Sequence, residues 1–320
     1  MRMGAGTAAL GAVGSLSGCS AIQDLIPGGG GGLGNFSNWV YAPDTFESDA
    51  EGINVSAFSY SGYLSNDGNL AESTYVGVKQ QSWSQTGIDA ADVNMLARLP
   101  NGRVFKGSFD LDAVKEELQA GDNDESDAGT QYESDGTYND NYDIFVREDQ
   151  DEPSHAYAVG NGNVIRGNRV ANTGNDSDPV SAGDVVRGMI DTGSNGDNRF
   201  SDSDDTFGAL VDAVDNGVSV SYELRQNEVG SDDGPDEDPL NGLFDGLVGE
   251  GFSLKINGGT TNYQYVFVYG GEGDVNESDV NDWVEANDTG DGRLSDLNDI
   301  SVSTDGRTAT VTGKRDTIEL

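Results

Sequence analysis

VFKGSFDLDAVKEEL, residues 104–118, begins with the alternation of a strand and continues with the period of an amphipathic helix. Leu111, Val114 and Leu118 share one helical face and are expected to point into a core. The side chain of Asp110 can accept the free N–H groups of the first helical turn. The stretch therefore predicts a strand followed at once by a capped helix.

Further alternating stretches follow this unit. Residues 142–146 and 156–159 have strand patterns, and Asn161-Gly162 supplies the positive φ angles of a tight hairpin before residues 164–165. Residues 183–190 and 204–214 are then expected to be helices, and 218–224 a strand. This order predicts an α+β fold of antiparallel sheets with packed helices.

The C-terminal part repeats this order loosely. Residues 263–269 form a strand pattern, residues 277–286 a helix, and the segments around Asp305-Gly306 a hairpin. We therefore hypothesise two loosely repeated β-α-β-β units. The expected organisation is an α+β domain at 36–225, an acidic disordered loop at 226–241, and a second α+β unit at 242–320 packed on the first.

The N-terminal part has the features of an export signal. Residues 5–16 are small and weakly apolar, and Leu16-Ser17-Gly18-Cys19 places the only cysteine where a lipoprotein signal is cut. The segment beginning at Arg2 looks like the end of a twin-arginine signal that starts further upstream. We expect a signal peptide at 1–18, lipid on Cys19 and a Gly-rich tether at 19–35; the alternative is an ordinary N-terminus with a free thiol.

The charge balance indicates an unusual environment. The chain has 17 Lys and Arg against 57 Asp and Glu, a formal net charge of −40. Such a charge is tolerated best in molar salt, where the Debye length falls to about 3 Å. With the lipobox, this composition resembles haloarchaeal secreted lipoproteins, which implies a protein anchored by lipid on the extracellular face of the cell membrane.

The same charge limits the choice of partners. No basic stripe is visible along the sequence, so neither nucleic acid nor direct binding to an anionic membrane surface is expected. Contact with the membrane is expected only through lipid on Cys19. A protein or solute partner is expected, but its identity is not encoded in any motif.

One segment resembles the start of a calcium loop. Counting from Asn287, positions 1, 3, 5 and 9 are Asn287, Thr289, Asp291 and Ser295, but position 12 is Asn298 instead of an acidic residue. The alternative is a plain Gly-rich turn, and no other cofactor is predicted. Five sequons on an exported chain predict N-glycosylation. They lie at Asn35, Asn54, Asn175, Asn276 and Asn287.

Catalytic signals are weak. The single histidine, His155, opens a strand pattern and has no cysteine partner, which argues against zinc and Ser-His-Asp chemistry. The aromatic residues before the first clear helix fit a core better than a carbohydrate surface. We therefore predict a non-catalytic module for solute or partner binding or envelope organisation; the alternatives are a hydrolase using paired carboxylates and a transporter substrate-binding lipoprotein.

Overall fold

The computed structural model describes residues 33, 36–46, 52–121, 131–147, 153–171, 179–225, 245–290 and 292–320. The strands are β1 Gly52–Phe58, β2 Ser82–Trp83, β3 Ile88–Asp89, β4 Val93–Leu99, β5 Gly102–Gly107, β6 Tyr132–Tyr138, β7 Tyr142–Arg147, β8 His155–Gly160, β9 Asn163–Asn168, β10 Ser219–Arg225, β11 Leu247–Asn257, β12 Thr260–Tyr269, β13 Asn298–Asp305 and β14 Thr308–Asp316. The α-helices are α1 Tyr60–Leu64, α2 Glu72–Lys79, α3 Leu111–Ala120, α4 Ala182–Ile190, α5 Phe200–Ser203, α6 Asp205–Ala213 and α7 Glu277–Asn287.

Twelve of the strands form one antiparallel sheet in the order β13-β14-β12-β11-β10-β1-β4-β5-β9-β8-β7-β6, and β2 pairs with β3 in a separate hairpin. The α+β class predicted from the sequence is thereby confirmed. The helix predicted from residues 104–118 is also present, and Asp110 caps it by accepting from the N–H groups of Asp112 and Ala113. No helix among the described residues is long and apolar enough to cross a membrane.

The first face of the sheet carries the largest apolar core. Helices α4, α5 and α6 and two 3₁₀ turns at Phe36–Trp39 and Pro43–Phe46 pack on it. The side chains of Val186, Phe207 and Leu210 are fully buried there. This layer spans both halves of the sheet, because α4 lies over β8 and β9 whereas α6 lies over β10, β11 and β12.

Three apolar clusters among the described residues cover parts of the second face. Helices α1 and α3 and the segment after β3 bury one apolar cluster around Phe105, Val114 and Leu118. Helix α7 buries another around Trp283 at the opposite end. A third cluster of Tyr63, Leu70, Val218 and Ile256 lies where α1 and α2 meet the ends of β10 and β11. Between the three clusters, Asn54 on β1 and Glu223 on β10 stay exposed, and this gap positions the candidate site.

The predicted boundary at 226–241 falls between two adjacent strands of the same sheet. Strands β10 and β11, on either side of this boundary, pair from Ser219↔Leu254 to Leu224↔Gly249. The two predicted units therefore join edge to edge through hydrogen bonds and share the core under α6. Residues 226–241, the signal segment 1–18 and all of the tether except Leu33 lie outside the described residues.

Helix α4 contacts the sheet through a pair of glycines. Gly102 on β5 lies directly opposite Gly167 on β9, and a Cβ on Gly167 would lie 2.7 Å from Val186 Cγ2 and 3.0 Å from the Ala182 carbonyl oxygen. The helix would have to move away from the sheet to accept it. Glycine at this position is thus required by close helix packing.

We expect Gly167→Ala to lower the free energy of unfolding by about 1–3 kcal/mol, the usual cost of overpacking a core. The measurement is urea denaturation in molar KCl. Gly208→Ala in α6 is the matched control, because its Cβ would lie 3.5 Å from the Ser201 carbonyl oxygen, an ordinary contact. It should leave stability unchanged or raise it by up to about 1 kcal/mol. Equal losses in both variants would contradict the packing argument.

Candidate functional site

The second face of β1 and β10 forms an open polar strip in the middle of the sheet. Along both strands, buried apolar residues alternate with polar ones, as in Ile53 and Val55 against the exposed Asn54. Ser56 and Ser221 are half-buried and face each other across the two strands. We call this strip, made by Asn54, Ser56, Ser219, Ser221 and Glu223, the central groove.

The end of the central groove next to α2 is a cavity of about 500 Å³. Phe58, Tyr60, Val78 and Leu96 supply apolar wall, and Arg98 contributes the only charged side chain to its lining. Helix α2 forms one wall without burying any of its own residues. The cavity therefore combines an apolar surface with one cation, a combination that favours an amphiphilic or anionic ligand.

Arg98 begins a row of three arginines that crosses the sheet. It lies directly opposite Arg103 on the neighbouring strand, and Arg103 lies directly opposite Arg166 on the next. Ser56 precedes the row on β1, and Tyr157 follows it on β8. Directly opposed side chains have Cβ atoms about 5 Å apart, so the three guanidinium groups share one face within about 10 Å.

The row concentrates positive charge that no carboxylate among the described residues neutralises. Burial lowers the pKa of Arg103, and the charges of Arg166 and Arg98 lower it further. Burial raises the pKa of Tyr60 and of Tyr157, and nearby arginines oppose both shifts. Two neutral phenols thus lie beside three cations.

A second, smaller cavity of about 260 Å³ lies at the other end of the central groove. It contains Glu223 and Glu250, which are opposite each other on β10 and β11. Arg225 Nη2 donates to Glu250 Oε1 at 2.8 Å. Burial raises the pKa of Glu250, and the hydrogen bond from Arg225 opposes this shift. Of the two glutamates, Glu250 is thus held by an ion pair with Arg225, whereas Glu223 is exposed.

The predicted calcium segment forms a hydrogen-bonded turn after α7. Asn287 is buried, its Nδ2 donates to the Trp283 carbonyl at 2.9 Å, and its own carbonyl accepts from Leu294 N–H at 3.0 Å. The hydroxyl of Ser295 donates to the Gly292 carbonyl. These bonds fit a plain turn better than a cation loop. Asp291 lies outside the described residues, so calcium binding stays a prediction.

The structure describes three of the five predicted glycosylation sites. Asn54 is exposed at the central groove, and Asn276 is exposed while its Oδ1 accepts from Ser278 N–H to cap α7. The amide of Asn287 is buried, so modification there would have to precede folding. Cys19, Asn35 and Asn175 lie outside the described residues.

His155 is half-buried at the start of β8, opposite Asn168. Within the described ranges, no group of three or more His, Cys, Asp or Glu residues could hold a metal ion. Most of the early aromatic residues are in the core as predicted, for example Trp39, Tyr41 and Tyr63. Phe58, Tyr75 and Trp83 are only half-buried, and Phe58 and Tyr60 also line the cavity at the end of the central groove.

The arginine row was missed in the sequence, where no basic stripe is apparent. One part of it carried a local signal: Arg98 and Arg103 flank the turn at Pro100-Asn101, and a two-residue hairpin places them opposite each other. Arg166 joins them only through the pairing of β5 with β9, which are separated by more than fifty residues.

No protein family model matches this chain, and no curated protein matches it. Among solved structures, crystal form III of TP0453 is similar with a TM-score of 0.42 and 9% identity over 89% of this chain and 94% of that one. Crystal form I of TP0453 gives a TM-score of 0.41 and 9% identity over 88% and 92%. These values are too low to carry over a fold or a function.

Proposed function

We propose that this protein is a non-catalytic binding module on the extracellular face of the cell membrane of a halophile. Lipid on Cys19 anchors it, and the central groove binds a solute or partner. The observation that carries the binding role is the exposed polar strip of β1 and β10, which lies between the apolar clusters on this face of the sheet. The cavity of about 500 Å³ at one end of this strip has the size, the apolar walls and the few polar groups that are usual in a ligand site.

The lining of the cavity supports binding over catalysis. Neither a carboxylate nor the histidine lines it, so acid-base chemistry there would lack its usual groups. A hydrolase with paired carboxylates would have to use Glu223 and Glu250 at the other end of the central groove. The hydrogen bond from Arg225 already engages Glu250 there.

The topology argues against the alternative of a transporter substrate-binding protein. Such proteins hold their ligand between two α/β lobes built on parallel strands. Here every strand pair of the large sheet is antiparallel within the described part of the chain. The central groove lies on the surface of a single sheet, so a ligand would bind without closure of two lobes.

The anchor is tested by Cys19→Ser, expressed natively from the complete reading frame. We expect the unaltered protein to gain a lipid-sized mass at Cys19 and to fractionate with the membrane, and the variant to be released. The physical reason is that the acidic mature chain has no electrostatic attraction to an anionic bilayer and depends on its acyl chains. Intact mass measurement and membrane fractionation provide the readouts.

Ser20→Ala is the matched control and should stay with the membrane, because it leaves the lipid-bearing thiol in place. The proposal is wrong if both Cys19→Ser and the unaltered protein are soluble and retain residues before position 19.

A further inference from the structure

We propose that Arg98, Arg103 and Arg166 bind the oxyanion group of a small solute, a carboxylate, phosphate or sulfate, at the edge of the central groove. The inference rests on the proposed binding function and specifies the chemistry of its ligand. Three guanidinium groups on one sheet face can present several parallel N–H donors to the oxygens of such a group. Their direct cross-strand register sets this arrangement.

The main support for this inference is that no described carboxylate forms an ion pair with Arg98, Arg103 or Arg166. Acidic residues outnumber basic ones by 57 to 17, so a carboxylate partner would be easy to supply. Elsewhere the protein does supply one, as in Lys115 with Asp143, Arg225 with Glu250 and Lys314 with Asp299. No such pair involves the row within the described residues. Three adjacent like charges repel one another, and a bound anion would remove that cost.

The surroundings of the row provide further donors for an oxyanion. The Nε of Arg166 is buried and has no hydrogen-bond partner among the described residues. The hydroxyl of Tyr60 lies near Arg98 and Arg103 and can donate to an anion, whereas Tyr157 already donates its hydroxyl proton to Gln85 Oε1 at 2.6 Å. A buried donor without an acceptor is costly, and an oxyanion would satisfy it.

The size and charge of the site favour a small solute over a long polyanion. The row crosses three strands, about 10 Å, which is room for one or two oxyanion groups. Glu223 lies exposed further along the central groove, where a polyanion would meet repulsion. The apolar wall at Phe58 and Leu96 begins beside Arg98, so a solute with an apolar body and an anionic head fits best.

The test is equilibrium binding in molar KCl, using phosphate, sulfate, benzoate and citrate as probes and the full mature chain as the receptor. We expect at least one probe to bind and to raise the thermal midpoint. Arg103→Gln should weaken that binding by at least about tenfold, because the loss of a hydrogen bond to a charged group usually lowers an affinity by that factor. Arg98→Gln tests the row at an exposed position, where folding is least at risk.

Two control variants test whether a loss of affinity is specific to the arginine row or follows from the loss of any positive charge. Lys255→Gln removes one positive charge from an exposed side chain on β11 and should leave the affinity unchanged. Arg103→Lys keeps the charge but loses the planar fork, and should bind more weakly than the unaltered protein. Without anion, Arg103→Gln should melt no lower than the unaltered protein, because it relieves repulsion within the row.

Three results would overturn the inference: no probe binds, Lys255→Gln weakens binding as much as Arg103→Gln, or dextran sulfate binds while no small anion does. The last result would indicate a polyanion surface instead. None of these results bears on the proposed membrane anchor, because the Cys19→Ser experiment tests the anchor independently.

Discussion

Transfer from molar KCl to dilute buffer is expected to unfold this protein. Its formal net charge is −40, and the Debye length grows from about 3 Å at 1 M salt to about 30 Å at 0.01 M. Exposed carboxylates then repel one another over much of the surface, and the compact state is destabilised relative to the expanded chain. Circular dichroism and tryptophan fluorescence across a KCl series would follow the transition.

Two controls test whether screening is the cause. Sucrose strengthens apolar burial by exclusion but screens no charge, so it should rescue folding in dilute buffer far less than KCl does. Acidification toward the ordinary pKa range of carboxylates, about 4, should partly restore folding because it removes negative charge. Full stability in dilute buffer, or equal rescue by sucrose, would contradict the proposed halophilic character.

Trp283→Ala is expected to cost about 3–5 kcal/mol, the usual range for removing a large aromatic side chain from a core. Trp283 lies on the inner face of α7 and is fully buried, and its ring centroid is 5.1 Å from that of Phe267 and 5.6 Å from that of Tyr265. Its removal takes away the centre of the apolar cluster that holds α7 on the sheet. Urea denaturation in molar KCl would measure the loss.

Glu285→Ala is the matched control, because it changes an exposed residue of the same helix and should shift the free energy of unfolding by no more than about 0.5 kcal/mol.

The shape of the unfolding transition tests the hypothesis of two units. Because β10 and β11 pair along their length, we expect Trp283→Ala to unfold in one step. A separate early transition of residues 242–320 would favour the hypothesis of two units.

The local features of the fold were predictable because each depends on residues close together in the chain. Asp110 caps α3 as its position before an amphipathic stretch suggested, and Asn161-Gly162 forms the two-residue turn between β8 and β9 with φ angles of 51° and 75°. The α+β class followed from the same periodicities.

Strand β11 shows where such patterns fail. Its sequence LVGEGFSLKIN, residues 247–257, has glycine at 249 and 251, where a strand with one buried face would carry apolar side chains. The C-terminal end of α6 packs there so closely that a Cβ on Gly251 would lie 2.4 Å from Cγ2 of Val214, and a Cβ on Gly249 would lie 3.0 Å from Leu210 Cδ1. The contact requires glycine and thereby removes the alternation by which the strand would be recognised.

The sequence by itself determined the acidic composition, the α+β class and the approximate ends of the main helices, and it predicts an export signal with Cys19 as the lipid site. These are properties of composition or of a few consecutive residues. The tertiary structure alone decided that the sheet is continuous, that the central groove lies open, and that Arg166 joins Arg98 and Arg103. Those features arise from pairing between distant strands, and the free energy of that pairing belongs to the assembled sheet, so no local pattern records it.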